Sequence, residues 1–344
     1  MTDNMFAASM ARLCAEYVTP EQVREVEQSK DVRPIWSALE QSGFCDALVA
    51  EKHGGAELGL NGAFTLVFAC GKFVMPVPLA YTMAIRAFLA DQGVAIPDGP
   101  MTLALAMPAQ DGEAINCHNV LYGEIADWVL VQQSERVLLL PTNAAKKTSS
   151  GVFGSLNADL CWTSLPEDTV QFDKTNDWAE LGACMLAGQM AGAVDSVFRM
   201  TLDYAGQRKQ FGRAIGKFQA IQQQISVMAE QAAAMRTAAQ IGFASSNWYP
   251  QSLAASIAKS RCSDAVSLLT SSAHSIHGAI GITAEYDLQL FTRRLHDWRF
   301  AFGSEAYWNG RIGHELLDKH EPVVDFIRTS VDLAICIMWR NYRE

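Results

Sequence analysis

The spacing of hydrophobic positions changes twice along the chain. From residue 1 to about residue 98 it is helical. Pro20 followed by EQVREVEQ opens an amphipathic segment with proline at a helix start. Ile35, Trp36 and Leu39 fall at helical spacing, and that segment stops at Gly43. Residues 51–55, EKHGG, read as a turn, and residues 60–70, LNGAFTLVFAC, are apolar over the length of a buried helix. From 99 to 173 the pattern becomes short apolar runs: MTLALAM, NVLYGEIADWVLVQQ, RVLLLPT and DTVQFD. Gly, Asn, Ser or Pro separate them, which predicts strands. The segment AAKKTSSGVFGSLNAD reads as a loop. From Trp178 the helical period returns. One long helix carries Met185, Met190, Val194 and Val197 near one face. Ile221, Ile225, Met228 and Met235 predict a second helix, and Pro250 starts a third that runs to about Ile276. Residues 305–317 and 323–339 predict two more. The expected architecture is mainly α with a small β domain: an N-terminal helical domain (1–98), a reduced middle β domain (99–173) and a C-terminal helical bundle (174–344).

Composition narrows the class. A chain of 344 residues has ample core volume for two or three domains, and 49% apolar with 19% charged residues reads as globular. The opening MTDNMFAASMARLCAEY has no sustained apolar run and reads as neither a signal peptide nor an anchor. No run of about 20 apolar residues is expected to span a membrane. The eight cysteines are scattered, without CxxC pairs or metal spacing to the seven histidines. They read as reduced thiols in a cytoplasmic protein. A net charge of −10 argues against nucleic acid as a partner.

Against that acidic background, one stretch stands apart. From Tyr204 to Ala229 there is no Asp or Glu, yet the span holds Arg208, Lys209, Arg213 and Lys217. A cationic patch on an acidic chain calls for an anionic ligand. Gly212 and Gly216 allow a turn between two helices, and Phe211 and Phe218 add flat apolar surface. Phosphate next to a ring is nucleotide chemistry. A second turn, His277-Gly278-Ala279-Ile280-Gly281, follows a predicted helix. There, backbone NH groups meet a phosphate or simply cap the helix. His274 and His277 have no third ligand in sight, so no metal is expected.

These stretches resemble a known family. YAGQRKQFGRAIGKFQ (204–219) is similar to the Arg-x-x-Phe-Gly-x-x-Ile-x-x-Phe-Gln signature of acyl-CoA dehydrogenases. HSIHGAIGITAEYDLQLFTRR (274–294) is similar to its His-Gly-Gly-x-Gly turn with following Thr, Glu-Tyr and Arg. WSALEQSGF, KHGG and GKFVMPVPL resemble its N-terminal part. The resemblance implies the family's fold and an FAD cofactor. It also implies that Arg208 reaches across a subunit interface to the pyrophosphate of the neighbour's FAD. Gln210 and Phe211 match positions that touch that cofactor, Gln219 matches the motif's glutamine, and Gly278 matches the second turn. Ser275 and Ala279 depart from that turn's usual Gln and Gly. Glu285, Tyr286, Arg293 and Arg294 are expected to tie the turn to the bundle by ion pairs.

The same resemblance brings out what is missing. The family's reaction needs a carboxylate as general base at the substrate α-carbon. Counted from Arg294, one family position for it falls on Gly303; counted back from Gly278, the other falls near Ser263. Neither is acidic, and the neighbouring Asp264 and Glu305 read as surface charges. No catalytic residue is therefore assigned. The β region is also too short for the family's flavin-cradling stretches, and Trp162-Thr163 reads as a coincidental fragment of one.

The chain thus resembles the shorter subunit of heteromeric bacterial acyl-CoA dehydrogenases of steroid side-chain degradation. In such α₂β₂ heterotetramers a homologous catalytic partner supplies the base and the flavin bed. An acyl-CoA substrate and an electron-transferring flavoprotein as acceptor come with that resemblance. Three alternatives stay open: a self-sufficient homo-oligomeric dehydrogenase with an unorthodox base such as Asp264; a flavoenzyme of the same fold with other chemistry; and a structural subunit that binds no cofactor.

Overall fold

The computed structural model describes residues 2–108, 114–320, 322–326 and 329. The helix expected over 323–339 lies for the most part outside the described residues.

Five helices come first: α1 (Thr2–Tyr17), α2 (Pro20–Ser29), α3 (Arg33–Ser42), α4 (Gly59–Lys72) and α5 (Leu79–Asp91). The start of α2 is a capping box. The Thr19 hydroxyl accepts from the Gln22 NH, and the Gln22 side chain accepts from the Thr19 NH at 2.8 Å. Both are otherwise orphan donors of a helix end. Gly43, with φ 75°, ends α3 in the left-handed region that glycine tolerates.

Seven strands follow: β1 (Met101–Leu105), β2 (Ile115–Val120), β3 (Trp128–Gln133), β4 (Arg136–Pro141), β5 (Lys146–Ser149), β6 (Ala158–Trp162) and β7 (Val170–Asp173). They form two sheets, in the orders β1-β3-β4-β7 and β2-β6-β5. Only the β1–β3 pairing is parallel. Side chains alternate as strand geometry requires. Val129 and Val131 of β3 and Leu138 and Leu140 of β4 enter a small core with Ile115, Leu160 and Trp162. Leu130, Val137 and Leu139 point the other way, into the main core. A sheet buried on both faces explains why RVLLLP reads as a continuous apolar run.

One sequence reading changes here. The segment read as a loop contributes β5 and the first two residues of β6. The four side chains of β5 are all exposed, so this edge strand carries no apolar signal. Trp162, read as a coincidental fragment, is fully buried in the small core, with its indole NH donating to the Pro141 carbonyl at 3.0 Å.

The C-terminal part is a bundle built on α6 (Trp178–Gln207). A short hairpin, β8 (Lys209–Gln210) with β9 (Arg213–Ala214), leads to α7 (Gln219–Gly242), then α8 (Ser252–His277), α9 (Leu288–Phe300) and α10 (Glu305–Lys319). By length and composition alone α6 is apolar enough to cross a membrane, but 83% of its most apolar stretch is buried inside the protein. It is the central helix, packed against α4, α7, α8 and α9.

The α4–α6 crossing is closed to side chains. A Cβ on Gly71 would overlap the backbone of Gln189, and one on Gly192 would overlap the backbone of Phe68. Backbone cannot yield as a side chain can. Gly192→Ala is therefore expected to cost about 2–3 kcal/mol, at the upper end for overpacking. Urea unfolding checks this, and an unchanged midpoint would rule out so close an approach.

Candidate functional site

The site is assembled where α6 ends. Arg208 caps that helix, its NH donating to the Tyr204 carbonyl at 2.8 Å. Hairpin β8–β9 then reverses the chain over two residues, with Lys209 opposite Ala214 and Gln210 opposite Arg213. Both turn residues have positive φ, Phe211 at 50° and Gly212 at 78°. This suits the right-handed twist of a two-residue hairpin. It is ordinary for Gly212 and strained for an aromatic side chain, by on the order of 1–2 kcal/mol. The strained ring is also 92% exposed. Burial within this chain therefore does not offset the strain.

The cations around it are available. Arg208, Lys209 and Lys217 are exposed and form no ion pair among the described residues. Arg213 lies over the Phe218 ring at 4.1 Å, and the Phe211 and Phe218 rings meet edge to face at 6.2 Å. Gln210 is exposed on β8, and Gln219 is the exposed first residue of α7. Arg208, Gln210, Phe211 and Gln219 are thus all exposed within one stretch of twelve residues. An anion and a flat ring docking from outside would meet what they need there.

The second turn is brought next to the first. The Tyr204 ring, one helical turn before Arg208, stacks on His277 at 4.5 Å. The His277 Nδ1 faces the Ala273 carbonyl at 2.8 Å, and its Nε2 accepts from the Tyr286 hydroxyl at 3.2 Å. Burial pushes the His277 pKa down, which favours this neutral, fully bonded ring. Gly278 follows with φ 65° and is exposed. Its own NH is spent on the His274 carbonyl. Among the described residues, no group of three or more His, Cys, Asp or Glu side chains is placed to hold a metal.

The ion pairs expected of the following segment exist but point elsewhere. Glu27 of α2 receives both Arg293 and Arg294, the latter at 2.6 Å, and Arg24 meets Asp287 at 2.6 Å. They fasten α9 to the N-terminal helices, not the turn to the bundle. Tyr286 serves the turn instead, through His277.

The two base positions hold no carboxylate. Ser263 and Gly303 are both bonded to the amine of Lys259, at 2.8 and 3.1 Å. Asp264 is exposed on the far side of α8 with Arg261, and Glu305 is paired with Arg299. The Arg299 guanidinium holds the Glu305 pKa below its usual range, the reverse of what a base working near neutrality needs. Sequence reasoning passed over Lys259 and Asp297. Asp297 joins α9 to the β region, accepting from Asn157 at 2.7 Å and Asn119 at 3.3 Å. Burial raises its pKa, and those amides oppose the shift. The cleft beside this junction, lined by Leu105, His118, Phe300 and Phe302 among others, is about 210 Å³. A site for even a drug-sized ligand is typically about 300–1,000 Å³. A dinucleotide exceeds the volume of this cleft.

Helical N- and C-terminal parts thus flank a small β region, and a cationic, aromatic-tipped hairpin joins two long helices. A family model described as "Acyl-CoA dehydrogenase, C-terminal domain" matches residues 178–317. The acyl-CoA dehydrogenase IpdE2 of Mycolicibacterium smegmatis is 30% identical over 292 residues, covering 84% of this chain and 90% of that protein. The chain belongs to the acyl-CoA dehydrogenase family, whose cofactor is FAD. Two solved structures share the fold. One is a variant of the Tcur3481–Tcur3483 steroid ACAD, with TM-score 0.78, 19% identity and coverage of 92% of this chain and 98% of that one. The other is the ChsE4–ChsE5 complex of Mycobacterium tuberculosis, with TM-score 0.75, 19% identity and coverage of 93% and 98%.

Proposed function

We propose that this chain is one subunit of a heteromeric FAD-dependent acyl-CoA dehydrogenase. It presents Arg208, Gln210, Phe211, Gln219 and the Gly278 turn to a flavin held mainly by a homologous catalytic partner. One observation carries the reading: among the described residues Arg208, Lys209 and Lys217 of the exposed hairpin region form no ion pair, while both base positions are tied to a buried lysine. Bound FAD would supply the hydride acceptor for the acyl β-carbon. This chain's part is to hold and orient. Arg208 neutralises diphosphate charge, and Phe211 covers apolar surface at the interface. The α-proton is left to a carboxylate of the partner. Both structural neighbours are named as pairs of proteins, and one as a steroid enzyme. That naming supports a steroid-derived CoA thioester as substrate; a side-chain ester, oxidation in the cytoplasm and an electron-transferring flavoprotein as acceptor complete the proposal.

The test is the visible spectrum of the chain purified alone, then co-expressed with a homologous acyl-CoA dehydrogenase subunit from the same genome. The expected result is colourless protein alone and a yellow complex with a single FAD per pair of unlike chains. A lone chain that is yellow and oxidises an acyl-CoA would establish a self-sufficient enzyme instead. A colourless complex would leave a purely structural subunit.

A further inference from the structure

Lys259 is 0% exposed, and four acceptors surround its amine. They are the Ser263 hydroxyl at 2.8 Å and the carbonyls of Trp298 at 3.0 Å, Arg299 at 2.8 Å and Gly303 at 3.1 Å. Two of these carbonyls belong to the last turn of α9, where helix geometry leaves carbonyls without partners and favours a cation. The turn that follows is otherwise poorly disposed. Phe302 has φ 54° and Gly303 φ 98°. The Phe302 ring fills the space above Gly182, where a Cβ would overlap it, and packs on Tyr81 at 5.9 Å. The Trp308 indole holds the Phe302 carbonyl at 3.0 Å.

We propose that Lys259 is a structural post. It seals the centre where an acyl-CoA dehydrogenase keeps its base, and it pins the end of α9 and the α9–α10 turn onto α8. The claim concerns this chain's own interior and does not depend on the heteromeric reading. One amine bridges the two positions, 263 and 303, that the family's spacing marks for a carboxylate. The centre has therefore been refilled with bonds rather than left vacant. A carboxylate restored at either position would bond to Lys259 instead of to a substrate.

The post stands in either protonation state. An ammonium offers three donors to four acceptors. A neutral amine keeps two N–H donors for carbonyls and takes the Ser263 hydroxyl proton on its lone pair. Burial pushes the pKa down to about 7. Cys262 on α8 and Glu305 on α10 oppose that shift, and Arg299 on α9 adds to it. The unfolded chain titrates at about 10.4, so between about pH 7 and 10.4 it holds the extra proton. This group's contribution to stability therefore rises with pH across that window and is flat below it.

Hydrogen exchange on the full chain, in the assembly in which it purifies, is the main test. Lys259→Met keeps the stem and removes the donors. Exchange over residues 298–304 is expected to quicken at least tenfold, with α6 unchanged and the rise of stability between about pH 7 and 10.4 lost. Unchanged exchange there would overturn the post. Should that variant not fold, ¹⁵N-lysine spectra of the unaltered chain still decide. One lysine amine is expected to be shielded from exchange with solvent, and a full set exchanging as free amines would overturn the proposal. Ser263→Asp is the functional arm. It should raise the titration of Lys259 and yield no acyl-CoA oxidation by this chain alone; turnover would show that the centre is not sealed.

Discussion

Glu27→Ala is expected to destabilise the protein by about 3–5 kcal/mol, a fall in melting temperature on the order of 10 °C. Glu27 carries both Arg293 and Arg294, and the three side chains are only 8%, 14% and 10% exposed. Removing the carboxylate strands two guanidinium groups in a low-dielectric site. Their remaining bonds, to the Phe153 and Leu290 carbonyls, cannot neutralise them. The cost is chiefly that of uncompensated charge, not of one lost contact. A triple replacement of Glu27, Arg293 and Arg294 by apolar residues should therefore recover much of the loss. Urea unfolding of the single and triple variants checks both points. A single-variant loss below about 1 kcal/mol would mean that the cluster is solvated like a surface pair. The lesion also lies between α2 and α9, so loosening should appear first in the exchange of those two helices.

Arg208→Ala is expected to weaken FAD binding by the assembled enzyme about 10- to 100-fold. That corresponds to one charge-assisted hydrogen bond to phosphate, about 1.5–3 kcal/mol. Stability without flavin should change by less than about 0.5 kcal/mol, because the side chain is exposed and forms no ion pair among the described residues. Arg208→Lys should recover part of the affinity, since it keeps the charge and loses the planar fork. Flavin titration of the apo complex by fluorescence quenching gives the result. Unchanged affinity would remove the hairpin from the cofactor site and leave it as an assembly contact. In the reconstituted complex, the lost affinity should also depend on ionic strength, as expected of an exposed charge.

Much of the scaffold was legible along the chain. The long apolar periods of α6 and α8 and the double-faced runs of β3 and β4 are local patterns, and local patterns survive in a linear reading. So did the hairpin's signature, because Arg208, Gln210, Phe211 and Gln219 lie within twelve residues of one another. Other elements left no such trace. β5, KKTS, is a wholly exposed edge strand whose pairing with β6 alone makes it a strand. α9, LQLFTRRLHDWRF, is rich in charge, and Arg294 is buried because Glu27 meets it from 267 residues away, a partner that local spacing does not show. Lys259 sits among small polar residues of α8 and resembles any exposed lysine until three carbonyls from the end of α9 and the turn beyond it close around it.

The sequence by itself determined the family, the order of helical and strand regions, and the absence of a carboxylate at both base positions. These rest on residue identity and short-range spacing. Only the tertiary structure decided which charges are free and which are spent. Among the described residues Arg208 forms no ion pair, Arg293 and Arg294 are spent on α2, and Lys259 is spent on closing the would-be catalytic centre. The physical reason is that a charge's burial and pairing are set by groups far away in sequence. The same arginine or lysine is a ligand contact, a structural tie or a sealing post according to what the fold packs beside it.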